Sequence, residues 1–262
     1  MRRASTWLVS VVIAASTLGG SVQTAAAYPA HVWSNSDAFA ATCMGFLDTY
    51  PKQHYNLTVA QLGKLGFNPV SGALGPGFTR AAFLNSVFFD YAVYVHSHGD
   101  NYWAASGAPK IDSGFLQDPG TGKCNSYSRD MVRSSAIKSK TAGTFYNIVI
   151  MSTCMLGSSK STMPDAFQIA KTKTGTDFEF YLGYVYHTWD SSSLRFEKAF
   201  WSYINGGTPH SRSLSEAFAY ASSIGGYEAV SSSEPFQANW WGNPNYDGTP
   251  LDPTTRCPAC DL

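Results

Sequence analysis

The sequence predicts an α/β protein with a central, mostly parallel sheet and helices on both faces. Three observations predict it. Residues 88–100 (F-F-D-Y-A-V-Y-V-H-S-H-G-D) and 146–157 (Y-N-I-V-I-M-S-T-C-M-L-G) are apolar, β-branched and aromatic runs without a helical period, as strands buried on both faces are. Both runs stop abruptly on polar residues, one at His96-Ser97-His98-Gly99-Asp100 and the other at Cys154. The segments before them alternate between strand-like and helix-like spacing, the layout of parallel strands joined by crossover helices.

Residues 1–27 carry Arg2 and Arg3, an apolar stretch from Trp7 to Leu18, and Ala25-Ala26-Ala27. That pattern reads as a secretory signal peptide, too short to span a membrane, so the mature chain 28–262 is expected to be exported as a single domain. Residues 37–45 predict a first strand, weakened by alanines. Residues 55–65 place Leu57, Ala60, Leu62 and Leu65 at helical spacing, and Gly66 stops the helix. Residues 67–70 predict a short strand, followed by a loop through Gly72, Gly75, Pro76 and Gly77. Thr79 suits the N-cap of a helix reaching Phe88 and burying Ala82, Phe83 and Val87. The His98 run follows.

Residues 101–143 are polar and too long for a simple connection, so a hairpin over residues 111–117 is expected inside them. After Cys154, residues 158–171 contain a helix through Pro164 to Ala170, 178–189 predict a strand, and 193–205 an aromatic-faced helix ending at Gly206-Gly207. Ser213, with Glu216 three residues on, forms a capping-box signature for a helix to residue 222. From Ser231 the chain is a tail of Pro, Gly and aromatic residues that includes Trp240-Trp241.

Composition narrows the function. Basic and acidic residues balance at 18 each, without the basic footprint of a nucleic-acid binder. No stretch after the leader reaches membrane-spanning length. Five cysteines, Cys43, Cys124, Cys154, Cys257 and Cys260, leave one thiol over in an oxidising compartment. Cys154 is the natural remainder because it alone ends an apolar strand. The other four allow three pairings, all open, and either a local Cys257–Cys260 bridge or two tethers of the C-terminal tail would satisfy them. No second Cys/His pair stands at zinc-ligand spacing, so no metal or cofactor is expected.

The chemistry centres on Cys154 and His98. A thiol needs a nearby base to attack a carbonyl at neutral pH, and two parallel strand ends would bring thiol and imidazole together. Gly99 admits a close backbone approach, and amide N–H groups there and at Cys154 suit an oxyanion. His96, two residues before His98, reads as structural. His187, Thr188, Trp189 and Asp190 follow the next strand and would wall the cleft. An indole beside a carboxylate suits the stem and charged head of Lys or Arg, while the bland alternative makes Asp190 a helix cap and Trp189 core.

With these residues in hand, the chain resembles the caspase-like cysteine peptidases, the group of caspases, gingipains, clostripain, separase and CHAT domains. Their signature is an apolar strand into His-Gly and a later one into Ala-Cys, Ser-Cys or Asp-Cys, here V-Y-V-H-S-H-G and I-V-I-M-S-T-C. Residues 180–190 (F-Y-L-G-Y-V-Y-H-T-W-D) resemble the strand that follows. Residues 196–207 and 214–221 resemble the helix pair of gingipain-like and CHAT members, so the likeness spans about residues 62–221. It implies a caspase-like three-layer sandwich, with His98 as acid/base, Cys154 as nucleophile, Gly99 N–H as oxyanion donor, and a peptide or protein as substrate. Three departures stand out, the first being that the caspase pentapeptide Gln-Ala-Cys-x-Gly is absent. Thr153 replaces the usual small residue before the nucleophile, and Ser152 occupies the place of a specificity aspartate in clostripain-like relatives. Two other readings compete. His96-x-His98-x-Asp100 also resembles the zinc-binding stretch of metallo-β-lactamase-type hydrolases, and a secreted scaffold could keep the fold without turnover.

Overall fold

The computed structural model describes residues 28–36, 49–103, 111–120, 123, 130–173, 178–208 and 210–251. The expected leader, the expected strand over residues 37–45, and Cys43, Cys124, Cys257 and Cys260 lie outside the described residues. Six strands build the main sheet: β1 (Ala30–Ser34), β2 (Val70–Leu74), β3 (Ala92–His96), β7 (Ile148–Ser152), β8 (Phe180–Tyr184) and β9 (Ala238–Gly242). Their spatial order is β2-β1-β3-β7-β8-β9, and all pairs are parallel except β8 with β9. A small antiparallel sheet, β4 (Gly99–Trp103), β5 (Ile111–Leu116) and β6 (Met131–Arg133), projects from the end of β3. The α/β sandwich predicted by the sequence is the fold found.

Among the described residues six α-helices cover the sheet: α1 (Tyr50–Lys64), α2 (Arg80–Ser86), α3 (Ser134–Thr141), α4 (Met163–Ala166), α5 (Asp190–Ile204) and α6 (Leu214–Ile224). Side chains alternate across each strand, so the two faces feed two cores. Ala92 and Tyr94 of β3, Ile148 and Ile150 of β7, and Phe180 and Leu182 of β8 pack with Leu62, Phe196, Phe200 and Trp201 under α1, α5 and α6. Val93, Val95, Val149, Met151 and Tyr181 pack with Phe83, Ile137, Met163 and Phe167 on the opposite face. The same alternation assigns His96 and Ser152 to the α1/α5 face, two residues beyond Tyr94 and Ile150.

Several elements depart from expectation. The 88–100 run is not one strand: Val87–Phe89 is a 3-10 turn with Phe88 and Phe89 exposed, and β3 spans only Ala92–His96. Beyond His96 the chain leaves the sheet at Ser97, whose hydroxyl donates to Leu116 O at 2.6 Å, and His98 lies between two sheets. Likewise β7 ends at Ser152, two residues before Cys154. The helix expected around residues 164–170 is the short α4, ended by a positive φ at Gln168. β1 and β9 were not foreseen; β9 buries Trp240 and Trp241 on opposite faces of the sheet edge. The residue 67–70 strand slides to β2, and the 111–117 hairpin becomes the middle strand of the small sheet. Caps behave as read: Thr79 Oγ1 accepts from Ala82 N, and the Ser213–Glu216 box is complete.

Candidate active site

β3 and β7 are adjacent, parallel and in register, with His96 opposite Ser152. His98 and Cys154 therefore each follow the end of one of two neighbouring strands by two residues. Ser97 N donates to Ser152 O at 3.4 Å, carrying the pairing one step past the sheet. The main chain of His98 is fixed from the far side, where Leu116 N donates to His98 O at 2.9 Å. Gly99 presses directly on the other segment. A Cβ there would lie 2.7 Å from the Cys154 carbonyl oxygen and 2.9 Å from Thr153 Cβ. The unexpected Thr153 is thus accommodated by the missing side chain of Gly99.

Cys154 carries a free thiol whose Sγ is 4.0 Å from Thr188 O. Burial pushes this thiol up to about 11; a backbone hydrogen bond at Thr188 pulls the other way, and the carboxylates of Asp190, Asp100 and Glu234 raise it further. His98 is pushed below the ordinary imidazole range by burial and then by the nearby His187. At neutral pH the site therefore holds a neutral thiol and a neutral imidazole, a base able to accept a proton.

The expected wall residues follow β8, and two of them are felt at the pair: Asp190 by the Cys154 thiol and His187 by the His98 ring. His187 is exposed and pairs through Nδ1 with Glu234 Oε1 at 2.9 Å. Trp189 is also exposed, and its indole N–H donates to Ala229 O at 3.3 Å, so it is not core. Asp190 is the first residue of α5, where its charge suits the helix dipole, and its Oδ1 lies 3.8 Å from His96 Nε2. It acts on the thiol from there.

His96 points away from the mouth. Its ring stacks on His54 of α1 with centroids 4.0 Å apart, and its Nδ1 is 3.3 Å from Ser152 Oγ. Burial, then the charges of His54 and His98, hold it well below the usual imidazole range. Behind it, Glu197 of α5 accepts from Tyr94 at 2.7 Å, Tyr184 at 3.0 Å and His54 at 2.9 Å. His96, His98 and Asp100 do not converge: among the described residues no three His, Cys, Asp or Glu side chains are grouped to hold a metal ion.

Three contributors escaped the sequence reading. Asn35, just past β1, donates to Ser97 Oγ at 3.3 Å and to Gln117 O at 2.9 Å, bracing the His98 segment. Glu234 belongs to a stretch read only as tail. Glu197 did leave a signal, since it lies three residues after Leu194 and before Phe200 and Trp201 on an otherwise apolar stripe.

No family model matches the chain, and no curated protein matches it significantly. Among solved structures, a structural-genomics protein from Geobacter sulfurreducens aligns over 87% of this chain and 100% of its own, with 10% identity and a TM-score of 0.50. The Drosophila initiator caspase Dronc aligns over 94% of this chain and 98% of its own, with 12% identity and a TM-score of 0.42. Identities this low speak to fold alone, and the second likeness is too slight to carry an argument. The α/β sandwich itself rests on the six-strand order and its two helical layers.

Proposed function

We propose that the protein is a secreted cysteine endopeptidase working through Cys154 and His98. The observation that carries this reading is the in-register β3/β7 pair, whose strands are followed two residues on by a free thiol after β7 and a neutral imidazole after β3. In the proposed reaction His98 takes the thiol proton as Cys154 Sγ attacks the peptide carbonyl. The N–H groups of Gly99 and Cys154 receive the oxyanion, and His98 returns the proton to the leaving amine. Water then hydrolyses the thioester with His98 as base.

The field of Asp190, Asp100 and Glu234 around the thiol favours a cationic side chain, so cleavage after Lys or Arg is the proposed preference. Trp189 and His187 border that position. A scaffold without turnover gains weight from the raised thiol, and reactivity separates the two readings. Mass mapping after iodoacetamide treatment is expected to find Cys154 modified and cleavage of basic peptides abolished, with chelators without effect and Asp190→Asn losing selectivity for Lys and Arg. Activity that survives modification of Cys154, or that a chelator removes and zinc restores, would sink the dyad.

A further inference from the structure

We infer that Asn101 is a positioning residue that locks the turn after Cys154 to the segment bearing His98. Asn101 is the third residue of β4, three after His98, and it is only 4% exposed. Its Nδ2 donates to Met155 O at 3.3 Å and to Ser158 Oγ at 2.8 Å. Its Oδ1 accepts from Ser113 Oγ at 2.6 Å, and Ser113 in turn exchanges bonds with Thr162, 2.8 Å from Thr162 N and 3.0 Å to Thr162 Oγ1. The carboxamide thus has both ends used, one on the turn and one on the small sheet.

The turn needs holding. Met155, directly after Cys154, has φ 64°, a left-handed conformation that a side chain makes costly. Backbone contacts secure it from the β8 side: Met155 N donates to Tyr186 O at 3.3 Å and Gly157 N to Tyr184 O at 2.7 Å. Asn101 secures it from the β4 side. It spans from the His98-Gly99 segment to the carbonyl one residue beyond the thiol. The Cys154 amide, which the proposed mechanism aims at the oxyanion, and the packing around Sγ both depend on how this turn sits.

The catalytic consequence rests on the cysteine-peptidase reading, while the effect on the thiol does not, and the test separates them. Cys154 alkylation by iodoacetamide is followed by peptide mass across pH for wild type and Asn101→Ala, alongside kcat and KM on a Lys/Arg peptide. In the variant the turn loosens, water reaches Sγ, and the alkylation midpoint moves down toward the ordinary thiol value, giving roughly tenfold faster modification at neutral pH. The kcat falls roughly a hundredfold with KM little changed, as a misplaced reacting group does. If Asn101→Ala alone does not fold, the same comparison is made between Met155→Gly and Met155→Gly/Asn101→Ala, because glycine takes the left-handed φ without the side-chain penalty. A wild-type alkylation profile in the variant overturns the lock, whatever the peptidase assay gives. A wild type inert on every peptide, but with the profile shifted by Asn101→Ala, overturns the peptidase reading and leaves the lock standing.

Discussion

Glu197 is a carboxylate enclosed by the core, and its survival there is a matter of partners. Burial pushes its carboxyl up, but the charge and hydrogen bond of His54, with help from Ser152 and Tyr94, outweigh burial and hold it below the usual carboxylate range. The charge is therefore kept in the fold. Glu197→Gln leaves His54 and two tyrosines facing an amide that cannot serve all three, and about 3 kcal/mol of stability is expected to go, the scale of a broken buried pair. Urea unfolding at pH 7 measures it, and a change below a few tenths would show the network to be idle. At the mouth the balance runs the other way. Cys154 is surrounded by carboxylates, so removing one negative charge should ease its ionisation. Glu234→Gln is expected to move the alkylation midpoint down from about 11, whereas an unmoved or raised midpoint would show that Glu234 does not act on the thiol.

At the scale of elements, the loop after Cys154 and the strand beside it meet through two glycines. A Cβ on Gly157 would fall 2.1 Å from Gly183 O, on the backbone of β8, with no flexible atom to yield. Gly157→Ala is expected to cost about 2 kcal/mol, in the range of core overpacking, and to lower peptidase rate through displacement of the same turn. A melting temperature equal to wild type would contradict the close approach. How such elements were legible follows from their physics. β3, β7 and β8 announced themselves because burial on both faces leaves continuous apolar runs. Their ends did not, since Ser97 leaves the sheet through a hydrogen bond to Leu116 O and the turn after Cys154 is held by Met155 N on Tyr186 O, partners that no local pattern encodes. β1 is five residues long, and His31 interrupts it; β9 hides in a tail of turn formers and is a strand only because β8 offers an open edge. His98, Gly99 and Cys154 were readable as motif, but Asn35, Asn101 and Glu234 come from segments far apart in sequence and meet only in the fold.

For the whole molecule, the titratable groups inside the sandwich make stability depend on pH in a direction that can be worked out. His96 is 1% exposed and is held neutral by burial and by the charges of His54 and His98, which outweigh the Asp190 carboxylate 3.8 Å away. The unfolded chain protonates this ring as pH falls past 6.5, while the fold, with its lowered value, does not. The unfolded state then binds more protons, so stability falls with decreasing pH across that window, by about 1.4 kcal/mol per pH unit once the unfolded ring is charged. Glu197 adds a loss of the same sign at lower pH, where its depressed carboxylate must finally be protonated. Asp90 opposes both: burial raises its carboxyl above the ordinary value despite His31, so the fold takes up that proton first on acidification. The histidine term can be isolated by substitution. His96→Gln removes the titrating ring yet keeps a polar group beside Ser152 Oγ. Its stability, measured by urea unfolding from pH 7 to pH 5, is expected to fall less steeply than that of wild type, even if it starts lower at pH 7. Parallel slopes would mean that His96 takes up its proton in the fold as readily as in the unfolded chain, and that the stack on His54 does not hold it neutral.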